Sequence, residues 1–320
     1  MRYTYLPNTS LKPSVIILGT GSMGSAIPEE DAFSILDTYI ECGGNSIDTA
    51  NCYAGWISGG EGASEKTIGS WLKTRGSRDE VYVMTKGGHP RFDSLEVSRL
   101  TPDEITHDLH QSLERLQTDV VDFYWLHRDD PQLPVDEIIS VLNEHFSAGT
   151  IRGIGCSNWS PSRITAASEY AAKNDLVSFQ ASQIGWSLAF RSEGGFPGMI
   201  FMDEPALDFH NESGMPVFAY SSQAKGFFSG DYSEDGDLPD RKSAAAVKQS
   251  YFSPDNFQRL RNAQTLSGKH GCSANAIALA YISSQQFPAY AIVGPRAPAQ
   301  IATSCNSDLI LTADELAYLH

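Results

Sequence analysis

Four ionisable side chains fall at related places in the chain. Asp48 lies in Ile47-Asp48-Thr49-Ala50-Asn51-Cys52-Tyr53, with Tyr53 five residues on. Lys86 lies in Val83-Met84-Thr85-Lys86-Gly87, and His127 ends Asp122-Phe123-Tyr124-Trp125-Leu126-His127. Asp48, Lys86 and His127 each close a short run rich in β-branched or aromatic residues, the composition of a strand. A carboxylate, an ammonium, a phenol and an imidazole form a set that can hold and move a proton. A free tyrosine, with a pKa of ~10, is too weak an acid to be an ideal donor near neutrality. A neighbouring Lys86 ammonium is expected to stabilise the tyrosinate and lower that value. Asp48 is expected to pair with Lys86 and hold it charged.

The set requires a scaffold that brings strand ends together. Eight strand candidates run along the chain: Val15–Gly19, Ser46–Asp48, Val81–Lys86, Val121–His127, Ile151–Cys156, Ser178–Gln183, Pro216–Tyr220 and Ala289–Val293. Most are spaced near the ~30-residue period of a strand–helix unit. Helical patterns lie between them. Pro102–Gln117 follows a cap-like Thr101 and carries Ile105, Leu109, Leu113 and Leu116 as one stripe. Pro134–Gly149 and Ser160–Asn174 read the same way, with Gly149 as a C-terminal stop. This predicts a single α/β domain over residues 1–320, a (β/α)8 barrel whose strand C-termini converge on one face. An open doubly wound sheet is the alternative. The segment Tyr3–Leu6 and Leu11–Lys12, around Pro7-Asn8, reads as a hairpin plugging the barrel bottom. Gly226–Ser250 reads as a long polar loop.

Two motifs point elsewhere. Gly19-Thr20-Gly21-Ser22-Met23-Gly24 fits the dinucleotide-binding G-x-G-x-x-G. In that fold a helix starts at the third glycine, with its N-terminus on the pyrophosphate. Here Ser25-Ala26-Ile27-Pro28 intervenes, and Glu29-Glu30-Asp31 looks like the acidic first turn of a later helix. Tyr82-Val83-Met84-Thr85-Lys86 fits the Tyr-x-x-x-Lys of short-chain dehydrogenases. That pair needs a helix to share a face, whereas this stretch reads as a strand.

Composition narrows the classes further. The 320 residues carry 23 Lys plus Arg against 39 Asp plus Glu, a net charge of −16. Nucleic acid and anionic membrane are therefore not expected as partners. No apolar run reaches the ~20 residues of a membrane helix, and no apolar signal region opens the chain. Cys42, Cys52, Cys156, Cys272 and Cys305 are scattered, without a C-x-x-C pair. No disulfide framework and no metal site is expected, and the location expected is the cytoplasm.

Taken together, these segments resemble the aldo-keto reductases. Asp48, Tyr53, Lys86 and His127 match the family's catalytic tetrad. Gly153-Ile154-Gly155-Cys156-Ser157-Asn158 resembles its fifth-strand motif, and Gln183 its sixth-strand glutamine. Tyr220-Ser221-Ser222-Gln223-Ala224-Lys225-Gly226 resembles its seventh-strand turn, and Gly294-Pro295-Arg296 through Gln300 its final cofactor segment. The resemblance implies reduction of an aldehyde or ketone by hydride from NADPH. Tyr53 then protonates the new alkoxide, and His127 polarises the carbonyl. It implies nicotinamide contacts from Ser157, Asn158 and Gln183, with Tyr220 stacked on the ring. The diphosphate would lie along Ser221, Gln223, Lys225 and Gly226. Arg296, with Gly294 and Gln300 beside it, would face the 2′-phosphate. Gly21, Ser22, Met23 and Asp48 would line the same groove. Met23, Trp56, Arg128, Trp186 and Phe190, with loops Gly87–Leu100 and Gly226–Ser250, would meet a small carbonyl substrate. Thr303-Ser304 stand where the family often has Glu-Asn, and the chain ends soon after Thr312–Leu319, without a long C-terminal substrate loop. A second reading is a cofactor-binding regulatory subunit, since some potassium-channel β subunits resemble these reductases.

Overall fold

A computed structural model describes residues 1–192, 197–241, 243–306 and 308–320. Eight parallel strands close into a barrel in chain order. They are β1 (Ile16–Gly19), β2 (Ser46–Asp48), β3 (Tyr82–Gly87), β4 (Phe123–Leu126), β5 (Ile154–Ser157), β6 (Ser182–Gly185), β7 (Val217–Tyr220) and β8 (Ala289–Val293). Pairing of Ile17 with Ile292 across β1 and β8 closes the ring. The helices are α1 (Glu29–Glu41), α2 (Ala63–Arg75), α3 (Pro102–Leu116), α4 (Val135–Ser147), α5 (Pro161–Lys173), α6 (Glu204–Ser213), α7 (Ala244–Tyr251), α8 (Pro254–His270), α9 (Ala274–Ser283), α10 (Pro298–Ser304) and α11 (Ala313–Tyr318).

The expected signals act where they stand. The Thr101 side chain accepts from the Glu104 N–H and caps α3, and Ser160 caps α5 through Arg163 N–H. Gly149, at φ +79°, turns the chain just after α4. The first turn of α1 is acidic, and Pro28 precedes it. The glycine segment before it folds as a loop, with Met23 N–H on Thr20 O and Ile27 N–H on Ser22 O. Tyr82 and Lys86 lie on β3, so neither misleading motif has its required helix.

Two apolar layers fill the molecule. One lies between strands and helices. The other fills the barrel with Ile17, Met84, Phe123, Trp125, Phe218, Tyr290 and Ile292. Leu6 and Leu11 of the N-terminal hairpin belong to this inner layer, and backbone bonds Thr4 N–H to Pro13 O and Leu6 N–H to Leu11 O form the plug. Gly155 makes room for the indole: a Cβ there would stand 2.5 Å from Trp125.

Two expectations are corrected. The sixth strand runs over Ser182–Gly185 rather than Ser178–Gln183, and Phe179 ahead of it packs on Trp159. Gly226–Ser250 is not a loop throughout: a short turn over Ala224–Ser229 and α7 occupy its ends, with Val247 and Tyr251 buried. Lys242 of that stretch lies outside the described residues. Among the described residues no helix is long and apolar enough to cross a membrane.

Candidate active site

β2, β3 and β4 lie side by side, so Asp48, Lys86 and His127 emerge on one rim. Lys86 is 1% exposed. Its Nζ donates to Asp48 Oδ2 at 2.7 Å, to Thr49 O at 2.6 Å and to the Tyr53 hydroxyl at 3.0 Å. Those three acceptors use all three ammonium donors. Asp48 Oδ1 accepts from Gln183 Nε2 at 2.9 Å, which ties β2 to β6 across the ring.

Tyr53 sits on a turn pinned to β3. Thr49 N–H bonds to Met84 O, Asn51 N–H to Lys86 O, and Ala54 takes a left-handed φ of +68°. Arg115 donates to Asn51 O and pairs with the buried Glu65, which accepts from Thr85. This support beneath the turn has no spacing signature in the sequence. The Tyr53 ring meets His127 and Trp56 edge-on, at 5.9 and 6.3 Å. A Cβ on Gly21 would first meet the Tyr53 ring, at 3.8 Å.

Burial sets the charges. It pulls Lys86 down, but Asp48 and then Tyr53 raise it more, so the ammonium stays charged. It pushes Tyr53 up to about 12, while Lys86 pulls the other way and Asp48 adds to the rise. Lys86 thus acts on Tyr53 in the expected direction, but desolvation of the phenolate outweighs it and the net shift is upward. Burial also drives His127 well below the ordinary imidazole value, with His89, Arg128 and Lys86 adding to the effect. His127 is thus neutral near pH 7.

The groove continues along β5, β6 and β7. Asn158, at φ +63°, donates to His127 O and Ser157 Oγ, and accepts from Ile200 N–H and the Tyr220 hydroxyl. Beyond Tyr220 the backbone is left-handed at Ser221, Ala224, Lys225 and Gly226. Such a turn is the kind of concavity that receives an anion. Gln223 Nε2 holds it against Asn275 of α9 and Ser304 of α10. Arg296 is exposed, and its N–H donates to Gln300 Oε1 at 2.7 Å. Gly294 beside it is also exposed.

Residues 15–320 match the model of the Aldo/keto reductase family. The chain belongs to this family. It is 28% identical to Protein tas of Escherichia coli (strain K12), over 99% of this chain and 96% of that one. It is 29% identical to Aldo-keto reductase YhdN of Bacillus subtilis (strain 168), covering 94% and 87%. It is 26% identical to Norsolorinic acid reductase stcV of Emericella nidulans, covering 98% and 78%. As an aldo/keto reductase the chain is an oxidoreductase.

Not every expected residue of this aldo/keto reductase reaches the rim. Trp186 packs outward, on Phe287 at 5.9 Å and Tyr281 at 5.8 Å. Successive strand residues alternate faces, and Gln183, three residues earlier, takes the inward one. Met23 is buried in the outer apolar layer beside Ile27. The exposed Phe190 lies under the Arg259 guanidinium, 3.9 Å from its carbon, and Asn256 bonds both its N–H and its C=O. Arg128 Nη1 donates to His127 O, and the exposed Trp56 leans on Phe92. Ser22 O accepts within its own loop, from Ile27 N–H and Ser25 Oγ. The sequence reading missed Cys52 and His89. Cys52 Sγ lies 3.4 Å from His127 Nδ1, and the His89 ring lies 4.8 Å from that of His127. Both flank strand ends, which is the one signal that could have found them. Burial pushes the Cys52 thiol up to about 12 and His89 down to about 4.

Proposed function

We propose that this aldo/keto reductase reduces an aldehyde or ketone to an alcohol, using NADPH. The observation that carries the reading is the buried chain Asp48–Lys86–Tyr53, with 2.7 and 3.0 Å between its members. The nicotinamide, when bound, supplies the hydride. Tyr53 gives its hydroxyl proton to the carbonyl oxygen as that oxygen gains charge. Lys86, locked by Asp48 and Thr49 O, stabilises the phenolate left behind. The Cys52 thiol lies against Nδ1 of His127; in the tautomer with its proton on Nε2, the imidazole donates to the carbonyl oxygen. The neutrality of His127 keeps a second cation away from Lys86.

The groove suits the cofactor. The left-handed turn Ser221–Gly226 fits a diphosphate, and the exposed Arg296 fits a 2′-phosphate. Ser157, Asn158 and Gln183 would hold the carboxamide, with Tyr220 against the ring. The substrate would enter beside Trp56. We read residues 1–320 as one domain around this site. Five free cysteines support a reducing, cytoplasmic setting.

The test is a panel of simple aldehydes and ketones, following NADPH oxidation by the full chain. Turnover supports the reading. NADPH binding without turnover of any carbonyl would instead favour a cofactor-binding regulatory subunit, such as the potassium-channel β subunits that resemble this family.

A further inference from the structure

We infer that Cys52, His89 and His127 form a binding site for a divalent cation of the zinc class. The three residues come from three places in the fold: the turn after β2, the loop after β3, and the end of β4. Their donor atoms all lie within 4.8 Å of one another. Tetrahedral zinc, with Zn–N of ~2.0–2.1 Å and Zn–S of ~2.3 Å, sets its donors roughly 3.3–3.6 Å apart. Cys52 Sγ and His127 Nδ1, at 3.4 Å, already have that spacing. The widest separation must close by about 1 Å. His89 lies on the loop after β3, which can supply it.

The orientation of His89 is the second observation. Its Nδ1 lies 2.6 Å from Pro90 O, and a carbonyl can only accept, so the ring proton sits on Nδ1. That leaves Nε2 as a lone pair. Histidine ligands of zinc are oriented by an outer carbonyl in this way. One thiol and two imidazoles favour zinc, cobalt or copper over magnesium or calcium, which take oxygen donors. Three protein ligands leave a fourth position for water.

Binding must be proton-balanced. The Cys52 S–H bond breaks, an S–metal bond forms, and one proton leaves to solvent. His127 keeps its ring proton on Nε2 in the bound state and offers the Nδ1 lone pair to the metal.

The test adds Co²⁺ to the full chain after chelator treatment. We expect one Co²⁺ per chain, tetrahedral d–d bands and a thiolate-to-cobalt charge-transfer band. Zn²⁺ should displace it with release of about one proton per chain, and Mg²⁺ should not. Cys52→Ser should abolish the charge-transfer band. His89→Gln should weaken binding by at least the ~10–100-fold that losing an outer-shell partner costs. Cys272→Ser should leave the band intact. Absence of the band in the wild type, or its survival in Cys52→Ser, would overturn the site. If Cys52→Ser does not fold, wild-type affinity in His89→Gln overturns it equally. The readout is the metal, so it is independent of whether the reductase reading holds.

Discussion

At the N-terminal end of the barrel, Leu6 and Leu11 enter the inner layer with Ile17, Phe218 and Tyr290. At the C-terminal end, the same strands present Asp48, Lys86 and His127. The ends are joined by alternation. Met84 and Trp125 point inward two residues before Lys86 and His127, so an apolar floor lies directly beneath the ionisable rim. The plug adds Leu6 and Leu11 to the bottom of that floor. At the rim itself burial dominates the charges, pushing Tyr53 up to about 12 and holding His127 neutral.

The largest expected effect breaks the reactive end. Lys86→Met should lower carbonyl reduction by ~10²–10⁴-fold, the range of general acid catalysis. It should also cost on the order of 3–5 kcal/mol, because Asp48 is left as a buried carboxylate without its cation. Single-turnover NADPH oxidation and denaturant unfolding read the two. Retained activity with an unchanged pH profile would remove Lys86 from the mechanism.

Breaking the other end should separate stability from chemistry. Leu11→Ala opens a cavity in the plug and should cost roughly 2–5 kcal/mol in urea unfolding. Turnover of the folded fraction should stay at the wild-type level. Lost turnover in well-folded protein would show that the plug acts on the site more directly.

Arg296→Ala sharpens the contrast between the buried rim and the exposed cofactor segment. Losing a charge-assisted bond of ~1.5–3 kcal/mol should weaken NADPH binding roughly 10–150-fold and spare NADH. Titration at rising salt should shrink the difference, because an exposed ion contact is screened. Equal weakening of both cofactors would deny Arg296 the 2′-phosphate.

The smallest effect is an absence. His127 is faced by His89, Arg128, Lys86, Cys52 and Tyr53. Its proton is already lost well below the ordinary value of ~6.5. The kcat profile should therefore show no inflection near that pH, and an inflection there that vanishes in His127→Gln would contradict the neutral imidazole.

The sequence made the barrel and its four-residue rim legible because strand–helix alternation and residue type at strand ends are local signals. The plug was legible for the same reason, since Leu6 and Leu11 flank a Pro-Asn turn. What escaped depends on three-dimensional placement. Trp186 was assigned by its neighbours, but the alternation from Gln183 sends it outward. The eight-residue α7 was hidden in a polar stretch. Cys52, His89 and His127 have no ligand spacing, and only closure of the barrel joins them. The raised pKa of Tyr53 needed the buried volume around it, which pairwise reasoning from Lys86 does not contain.

The most direct test of the proton donor compares Tyr53→Phe with Tyr82→Phe. The first keeps the ring and removes the hydroxyl that Lys86 holds at 3.0 Å; the second removes a hydroxyl at the far end of β3. Measured by single-turnover reduction of an accepted aldehyde, Tyr53→Phe should fall by ~10²–10⁴-fold with NADPH affinity kept. Tyr82→Phe should match the wild type. Wild-type turnover in Tyr53→Phe would contradict the account.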